Sequence, residues 1–316
     1  VETAAHGLMR IAVVGAGGVG GYFGGRLAHA GIDTTFIVRG ETLQALRVAG
    51  LRVESINGDF TVDRVQATDD PATVGPVDAI LMTVKAWQIE EAAARLAPMI
   101  GADTAVVPLE NGIDAPEILS AIVGREHVLG GLSGIVSYVV ARGHIRHAAT
   151  EPFVMFGELD NRPSARTARL RDTFLRAGVK ADIPADIHRA MWSKLLFITT
   201  LSGIGALTRV PVGVWRAMPE VRLAADLSLR EVAAVAKARG VDLGPAAIDT
   251  TWARYDGLAG SSTSSLQRDV MEGKPSELEA QLGAVVRLGK EAGVPTPVTE
   301  LLYQCLLPQE RRARGL

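Results

Sequence analysis

Apolar residues recur along the chain in two rhythms, and the change between them divides it. Up to about residue 184, short apolar runs alternate with stretches of helical spacing. Residues 11–14, 34–38, 79–84, 105–109, 128–138 and 153–156 read as strands. Helices are expected after Gly20 and over residues 87–96. This β-α-β-α-β order argues for a parallel, doubly wound sheet, and residues 143–147 predict a turn into a late antiparallel extension. From about Asp186 the period is helical: residues 186–201, 221–239 up to Gly240, and 276–292, stopped by Gly293 with Pro295 and Pro297 beyond. The expected fold is α/β, with a sheet domain over residues 9–184 and an all-helical domain over 185–316.

The first strand runs into Gly15-Ala16-Gly17-Gly18-Val19-Gly20, and a helical stretch follows. Strand, glycine turn and helix in that order form a dinucleotide-binding signature. Gly15 permits the tight turn, Gly17 lets the backbone approach a pyrophosphate, and Gly20 lets the helix pack close to the strand. The helix N-terminus, from Gly18 and Val19 onward, offers unpaired N–H groups and partial positive charge to a diphosphate. The second strand ends in Val38-Arg39-Gly40, where an NAD-selective fold carries an acidic residue for the ribose hydroxyl. An arginine there suits a 2′-phosphate instead. NADP(H) is therefore the expected cofactor, with Arg39 as selector.

Composition narrows the class. The chain has 316 residues, 47% hydrophobic, with a net charge of −2, so it lacks the basic excess of a nucleic-acid binder. No apolar run reaches the length of a membrane span. The single cysteine, Cys305, excludes an intrachain disulfide and points to a reducing, cytoplasmic setting, where it reads as a small hydrophobe in a helix. Residues 1–8 lack the apolar core of a signal peptide and read as a ragged extension. The basic run Arg311-Arg312-Ala313-Arg314 reads as a solvated, frayed tail. The histidines, His144 and His147 among them, lack zinc spacing, and no metal site is expected.

Lys194 is the leading candidate for proton transfer. Ile187, Met191, Lys194 and Ile198 fall on one helical stripe, which places the lysine on an apolar face. Partial desolvation there would lower its pKa and make it a usable general acid; a lysine snorkelling at the edge of the stripe is the plainer reading. Glu277 stands at a helix start after Pro275, as catalytic carboxylate or as helix N-terminal charge. The hydroxyl run 261–265 is either a flexible loop or a set of substrate contacts. Asn111, in Asn111-Gly112, and Lys85 follow strand ends at the edge where open α/β sheets bind ligands.

Read in order, these segments resemble the ketopantoate reductase (2-dehydropantoate 2-reductase) family over residues 9–308. The resemblance rests on the glycine hexapeptide, Val38-Arg39-Gly40, Val84-Lys85-Ala86-Trp87-Gln88, Asn111-Gly112 and Phe156-Gly157-Glu158-Leu159-Asp160. It continues through Trp192-Ser193-Lys194-Leu195-Leu196, Ser264-Ser265-Leu266-Gln267-Arg268-Asp269 and Lys274-Pro275-Ser276-Glu277. It implies an N-terminal Rossmann-type domain and a helical substrate and dimerisation domain, with the active site in the cleft between them. It also implies NADPH-dependent reduction of a 2-keto acid to a 2-hydroxy acid on the way to pantothenate. Lys194 would be the general acid and Glu277 the carboxylate that orients substrate. Asn111 would lie near nicotinamide and substrate, and Ser265 would bind the substrate carboxylate. Gly15, Gly17, Gly18, Val19, Gly20, Arg39, Lys85 and Asn111 would hold the cofactor. A homodimer follows from the resemblance alone.

Two positions depart from the family pattern. Asparagines are usual four and eight residues after the lysine, and Ile198 and Ser202 stand there. Both should share the helix face of Lys194, which favours a less hydroxylated keto acid. Glu110 replaces a common glutamine. These departures keep two alternatives open: a related dehydrogenase of another carbonyl or alcohol, and a non-catalytic NADPH-binding sensor.

Overall fold

The structure, a computed structural model, describes residues 9–316; the expected extension over residues 1–8 lies outside the described residues. The chain forms two compact units. One holds residues 9–110 and Ala115–Ile187, the other Asn111–Asp114 and His188–Leu316.

In the first unit, β1 (Arg10–Val14) leads through the glycine turn to α1 (Gly18–His29) and β2 (Asp33–Ile37). Then come α2 (Gly40–Ala49), β3 (Leu51–Ser55), β4 (Phe60–Val62), β5 (Gln66–Thr68), β6 (Ala79–Met82), α3 (Ile89–Ala93), β7 (Ala105–Pro108) and α4 (Ala115–Val123). The hairpin β8 (Leu129–Ala141) and β9 (His144–Glu158), α5 (Ala165–Arg176) and β10 (Lys180–Asp182) complete it. Five parallel strands run in the order β5-β2-β1-β6-β7. Ile11 and Val13 of β1 enter one core with Tyr22, Phe23 and Leu27 of α1. Ala12 and Val14 enter another with Ile89 and Ala93 of α3 and Leu119 of α4. The helices after β1 and β6 thus cover opposite faces, and the crossover direction reverses between these neighbouring strands. Such a reversal opens a crevice at the strands' carboxyl ends.

A single doubly wound sheet is not the whole arrangement. A second sheet runs β10-β9-β3-β4, with β8 antiparallel to β9. Along β9, Ile145, His147, Val154 and Phe156 are buried while Arg146 and Ala148 are exposed. That one-sided alternation, broken by polar residues, hid a strand more than three times the expected length. The helix expected over residues 87–96 is also shorter. Only Ile89–Ala93 is α-helical, and Pro98 opens a separate 3₁₀ turn after it.

The second unit comprises α6 (Ile187–Thr208, whose first residue belongs to the first unit), α7 (Val212–Trp215), α8 (Pro219–Ala238), α9 (Ala247–Gly257), α10 (Ser265–Met271), α11 (Ala284–Ala292) and α12 (Pro297–Ala313). Contrary to expectation, α6 has the length and composition of a membrane span, but 67% of its apolar window is buried, as in a core helix. Trp192, Leu195, Leu196 and Ile204 pack with Trp215, Leu229, Tyr255 and Leu282. Buried polar groups fix the register. The Tyr255 hydroxyl donates to the Phe197 carbonyl at 2.6 Å, and Thr200, Ser228 and Thr299 form a hydroxyl chain at 3.0 and 3.2 Å. The Glu231 carboxylate accepts from the Val298 and Thr299 amides at the start of α12, 2.8 Å each. The helix expected over residues 276–292 instead begins with a π turn, Glu279–Gly283, leading into α11. The basic tail is not frayed: α12 continues to Ala313, and Arg314 is tied to Glu310 and Ser276.

At the reversal point, the Thr83 hydroxyl sits against both the Val14 and Gly15 carbonyls, at 2.8 and 3.0 Å. Gly15 has φ +99°, and its amide donates to the Ile37 carbonyl at 3.0 Å. A Cβ on Gly20 would collide with the Thr83 hydroxyl and the Gly15 carbonyl, whereas a Cβ on Gly17 would meet nothing within 4 Å. Gly20→Ala is therefore expected to destabilise the protein by about 1–3 kcal/mol. Gly17→Ala should stay within about 0.5 kcal/mol of the parent. Urea unfolding of the two variants measures the difference; equal midpoints would contradict the packing assigned to Gly20.

Candidate active site

The segment Asn111–Asp114 follows β7 in sequence but packs with the helical unit. Gly112 has φ +122°, and a Cβ there would lie 2.8 Å from the Ala280 carbonyl oxygen, so the Asn111-Gly112 turn rests directly on the π turn. Two polar links hold the segment. Asp114 pairs with Arg287 at 2.7 Å, and the Asn111 side-chain amide donates to Glu277 Oε2 at 3.0 Å. Glu277 is only 5% exposed, and its own carbonyl accepts from the Gln281 amide at 3.1 Å. Two candidates 166 residues apart are thereby in contact. Glu277 lies just before the π turn, in an irregular stretch of the kind often found at functional sites.

Lys194 lies on α6, partly buried, with Trp192, Leu195 and Leu196 buried around it in sequence. The one-sided apolar face expected for this helix is not what α6 has. Leu195, Leu196, Thr199 and Thr200 are buried as fully as Ile187 and Met191, because α6 is a core helix covered on most sides. Ile198 is partly buried. Ser202 is fully buried, and its hydroxyl has no hydrogen-bond partner among the described residues.

The hydroxyl run is not a flexible loop. The Val212 amide donates to the Ser262 carbonyl at 3.0 Å, and Arg268 donates to the Thr263 carbonyl at 2.8 Å. Ser264 caps α10 by accepting from the Gln267 amide at 3.0 Å, which leaves the neighbouring, partly buried Ser265 as first residue of the helix. The Ser264-x-x-Gln267 spacing is a capping signal that was readable in sequence.

In the first unit, Gly17 is the N-cap of α1, with no side-chain cap and no acidic residue in the first turn. The leading amides at Gly18 and Val19 thus start a helix free of competing carboxylates. Arg39 is the N-cap residue of α2, and its guanidinium meets Glu91 of α3 at 2.6 Å; both side chains are 60% exposed. Hydrogen bonding to Arg39 holds the Glu91 carboxyl below the usual carboxylate range, so it is ionised at neutral pH. Lys85 precedes the 3₁₀ turn Ala86–Gln88, its ammonium 5.7 Å from the Trp87 ring centre. Glu110 is 9% exposed. Cys305 is exposed on α12 rather than packed. Among the described residues no group of three or more His, Cys, Asp or Glu side chains could hold a metal ion. Sequence reasoning missed Glu91 and the contacts of Ser276 with Glu310 and Arg314, which depend on approaches between distant segments; it also missed the Glu310–Arg314 pair, whose four-residue spacing along α12 was readable.

Residues 11–161 match the family described as ketopantoate reductase PanE/ApbA, and residues 186–310 match its C-terminal counterpart. The uncharacterized oxidoreductase YkpB of Bacillus subtilis (strain 168) is 31% identical over 299 residues, covering 93% of this chain and 97% of that protein. The crystal structure of 2-dehydropantoate 2-reductase from Geobacter metallireducens GS-15 superposes with a TM-score of 0.89 at 30% identity, covering 95% of this chain and 99% of that one. A D-mandelate dehydrogenase solved with NADH and anilino(oxo)acetate shares the fold, with a TM-score of 0.89 at 23% identity and coverage of 97% and 100%. Two matched family regions spanning most of the chain, on a glycine-turn sheet unit and a helical unit, show that it belongs to the ketopantoate reductase family of nicotinamide-dependent oxidoreductases.

Proposed function

We propose that this protein reduces a 2-keto acid to the 2-hydroxy acid with NADPH, ketopantoate being the default substrate. The observation that carries the reading is the buried Glu277 carboxylate held by Asn111, within the unit whose helix α6 carries Lys194. Bound nicotinamide supplies the hydride. Lys194 gives a proton to the carbonyl oxygen, so that no free alkoxide forms. Glu277 accepts from the substrate hydroxyl and keeps Lys194 directed at the oxygen, while Asn111 holds the carboxylate and lies beside the nicotinamide. Ser265 donates to the substrate carboxylate. The turn formed by Gly15, Gly17, Gly18, Val19 and Gly20 receives the diphosphate at the start of α1, and Lys85 contacts the cofactor. Residues 9–184 act as the cofactor-binding domain and 185–316 as the substrate and dimerisation domain. The single cysteine suits a reducing cytoplasm, and Leu223 and Leu227, one turn apart and exposed on α8, are apolar surface available to a homodimer.

The residue type at position 198 supports a second reading of the substrate. Ile198 can make only apolar contacts where the family places an amide, and an unpaired substrate hydroxyl costs on the order of 1–3 kcal/mol. A keto acid with fewer hydroxyls suits such a pocket better than ketopantoate.

Four substitutions and a substrate panel test this account. Lys194→Ala should lower kcat for the preferred keto acid by about 10²–10⁴ while leaving NADPH binding intact. If none of a panel of keto acids and aldehydes supports NADPH oxidation by the wild type, the protein is a sensor instead. Arg39→Asp should weaken NADPH relative to NADH by about tenfold or more. Glu91→Gln should shift the ratio the other way, because it removes a carboxylate that competes with the 2′-phosphate for Arg39; fluorescence titration with both cofactors reads both effects. Ile198→Asn should raise kcat/KM for ketopantoate relative to 2-ketobutyrate by about tenfold, and an unchanged ratio would remove Ile198 as the specificity determinant.

A further inference from the structure

The residue before Glu277 is gripped by the C-terminal helix. Ser276 is fully buried, and all three of its polar groups go to two side chains one turn apart near the end of α12. Its amide donates to Glu310 Oε1 and Oε2 at 3.1 and 3.0 Å, and its hydroxyl donates to Glu310 Oε2 at 2.6 Å. Arg314 closes the ring, donating through Nη2 to the Ser276 carbonyl at 2.9 Å and through Nε to Glu310 Oε1 at 2.6 Å. Glu310 is 5% exposed. A carboxylate this buried is costly unless its lone pairs are filled, and here backbone, hydroxyl and guanidinium donors fill them.

We propose that Glu310 and Arg314 form a positioning clamp that sets the placement of the Glu277 carboxylate during turnover. The proposal rests on the assignment of Glu277 made above. Glu277 is constrained on three sides. Ser276 is locked before it, its own carbonyl is held by the Gln281 amide, and its carboxylate is held by Asn111. The stretch needs such help because it has little regular structure of its own. Lys274, Pro275 and Ser276 are in neither helix nor strand, and Gly273 just before them has φ +67°. Apolar packing would stabilise a chain end at least as well as a buried ion pair. What the ion pair adds is direction, because the amide, hydroxyl and carbonyl of Ser276 are all tied to the same two side chains. A displacement of about 1 Å at a catalytic group costs on the order of 10²-fold in rate, so the orientation of Ser276 passes directly into kcat.

The test compares full-length Arg314→Ala, Arg314→Lys, Glu310→Gln and Glu277→Gln with the wild type, and Arg314→Ala in the Glu277→Gln background. Each preparation is normalised to NADPH-binding sites, so that unfolded material does not count. Arg314→Ala and Glu310→Gln should lower kcat per site about 10- to 100-fold with the Kd for NADPH unchanged. Arg314→Lys, which keeps the charge but cannot span both partners, should fall between. In the Glu277→Gln background Arg314→Ala should cost little more, since both act through one carboxylate. A merely structural staple predicts a lower Tm with unchanged kcat per site in Arg314→Ala, and a route that bypasses Glu277 predicts a loss of kcat that multiplies in full onto Glu277→Gln; either result overturns the clamp. If Glu277→Gln itself keeps wild-type kcat, the assignment of Glu277 fails first and the clamp falls with it. If Glu277→Gln is impaired and Arg314→Ala is not, the clamp alone is wrong.

Discussion

The contact between the glycine turn and Thr83 governs the geometry of the first unit. Helix α1 approaches β1 so closely that the space a Cβ at Gly20 would need is taken by the Thr83 hydroxyl and the Gly15 carbonyl. The same hydroxyl is hydrogen-bonded to the last carbonyl of β1 and the first of the turn, so it holds β6 against the strand that launches the helix. A helix containing five glycines in twelve residues has poor intrinsic stability. It forms because closeness is rewarded: Tyr22, Phe23 and Leu27 are almost completely buried. Once α1 is fixed, its first amides point out of the strand end at the place where the crossover direction reverses. The diphosphate site proposed there would be a by-product of packing, with no charged side chain required.

The helical unit solves a different problem. Two of its candidate site residues, Asn111 and Glu277, lie in segments with little regular structure, so there side chains have to do what helix and sheet ladders do elsewhere. Glu231 caps α12, Tyr255 reaches the backbone of α6 three residues after Lys194, and Ser276 is held through Glu310 and Arg314. Buried polar groups of this kind are costly when half-satisfied and directive when satisfied. The π turn between Glu277 and α11 is where regular hydrogen bonding gives way, and the side-chain amide of Asn111 enters at that point.

How much of this was legible in sequence follows from the range of each interaction. The glycine turn, the strands on either side of it and the helical second half each leave a pattern that repeats within a few residues, and periodicity reported that pattern even where, as at Thr83, the contact behind it is distant. The β8–β9 hairpin was only partly visible, because β9 buries one face and carries His144, Arg146 and Glu151 among its outward or half-exposed positions. The stripe containing Lys194 was misread, since a stripe marks a face only when the rest of the helix is polar, and α6 is buried on most sides. The frayed tail was misread for a different reason: the Glu310–Arg314 spacing was readable, but the buried anchor that both share, Ser276, lies 34 and 38 residues away. Glu91 was silent in the same way, 52 residues from the arginine it pairs with.

The two ends of the proposed reaction therefore depend on different physics. On the proposed reading, cofactor choice rests on an exposed guanidinium and an exposed carboxylate, Arg39 and Glu91, where salt and water screen every interaction and a single charge change would move the balance between two nucleotides. On the same reading, substrate choice rests on partly or wholly buried positions, Ile198 and Ser202 on α6 and Glu277 before the π turn, where screening is weak and an unpaired polar atom is the dominant cost. Selectivity at the first end should thus vary with ionic strength, while selectivity at the second should not. By that asymmetry, a surface exchange such as Glu91→Gln should retune the cofactor without touching the fold. Changing the acceptor requires a new hydrogen-bonding side chain inside a packed helix, with the rest of α6 already committed to its neighbours.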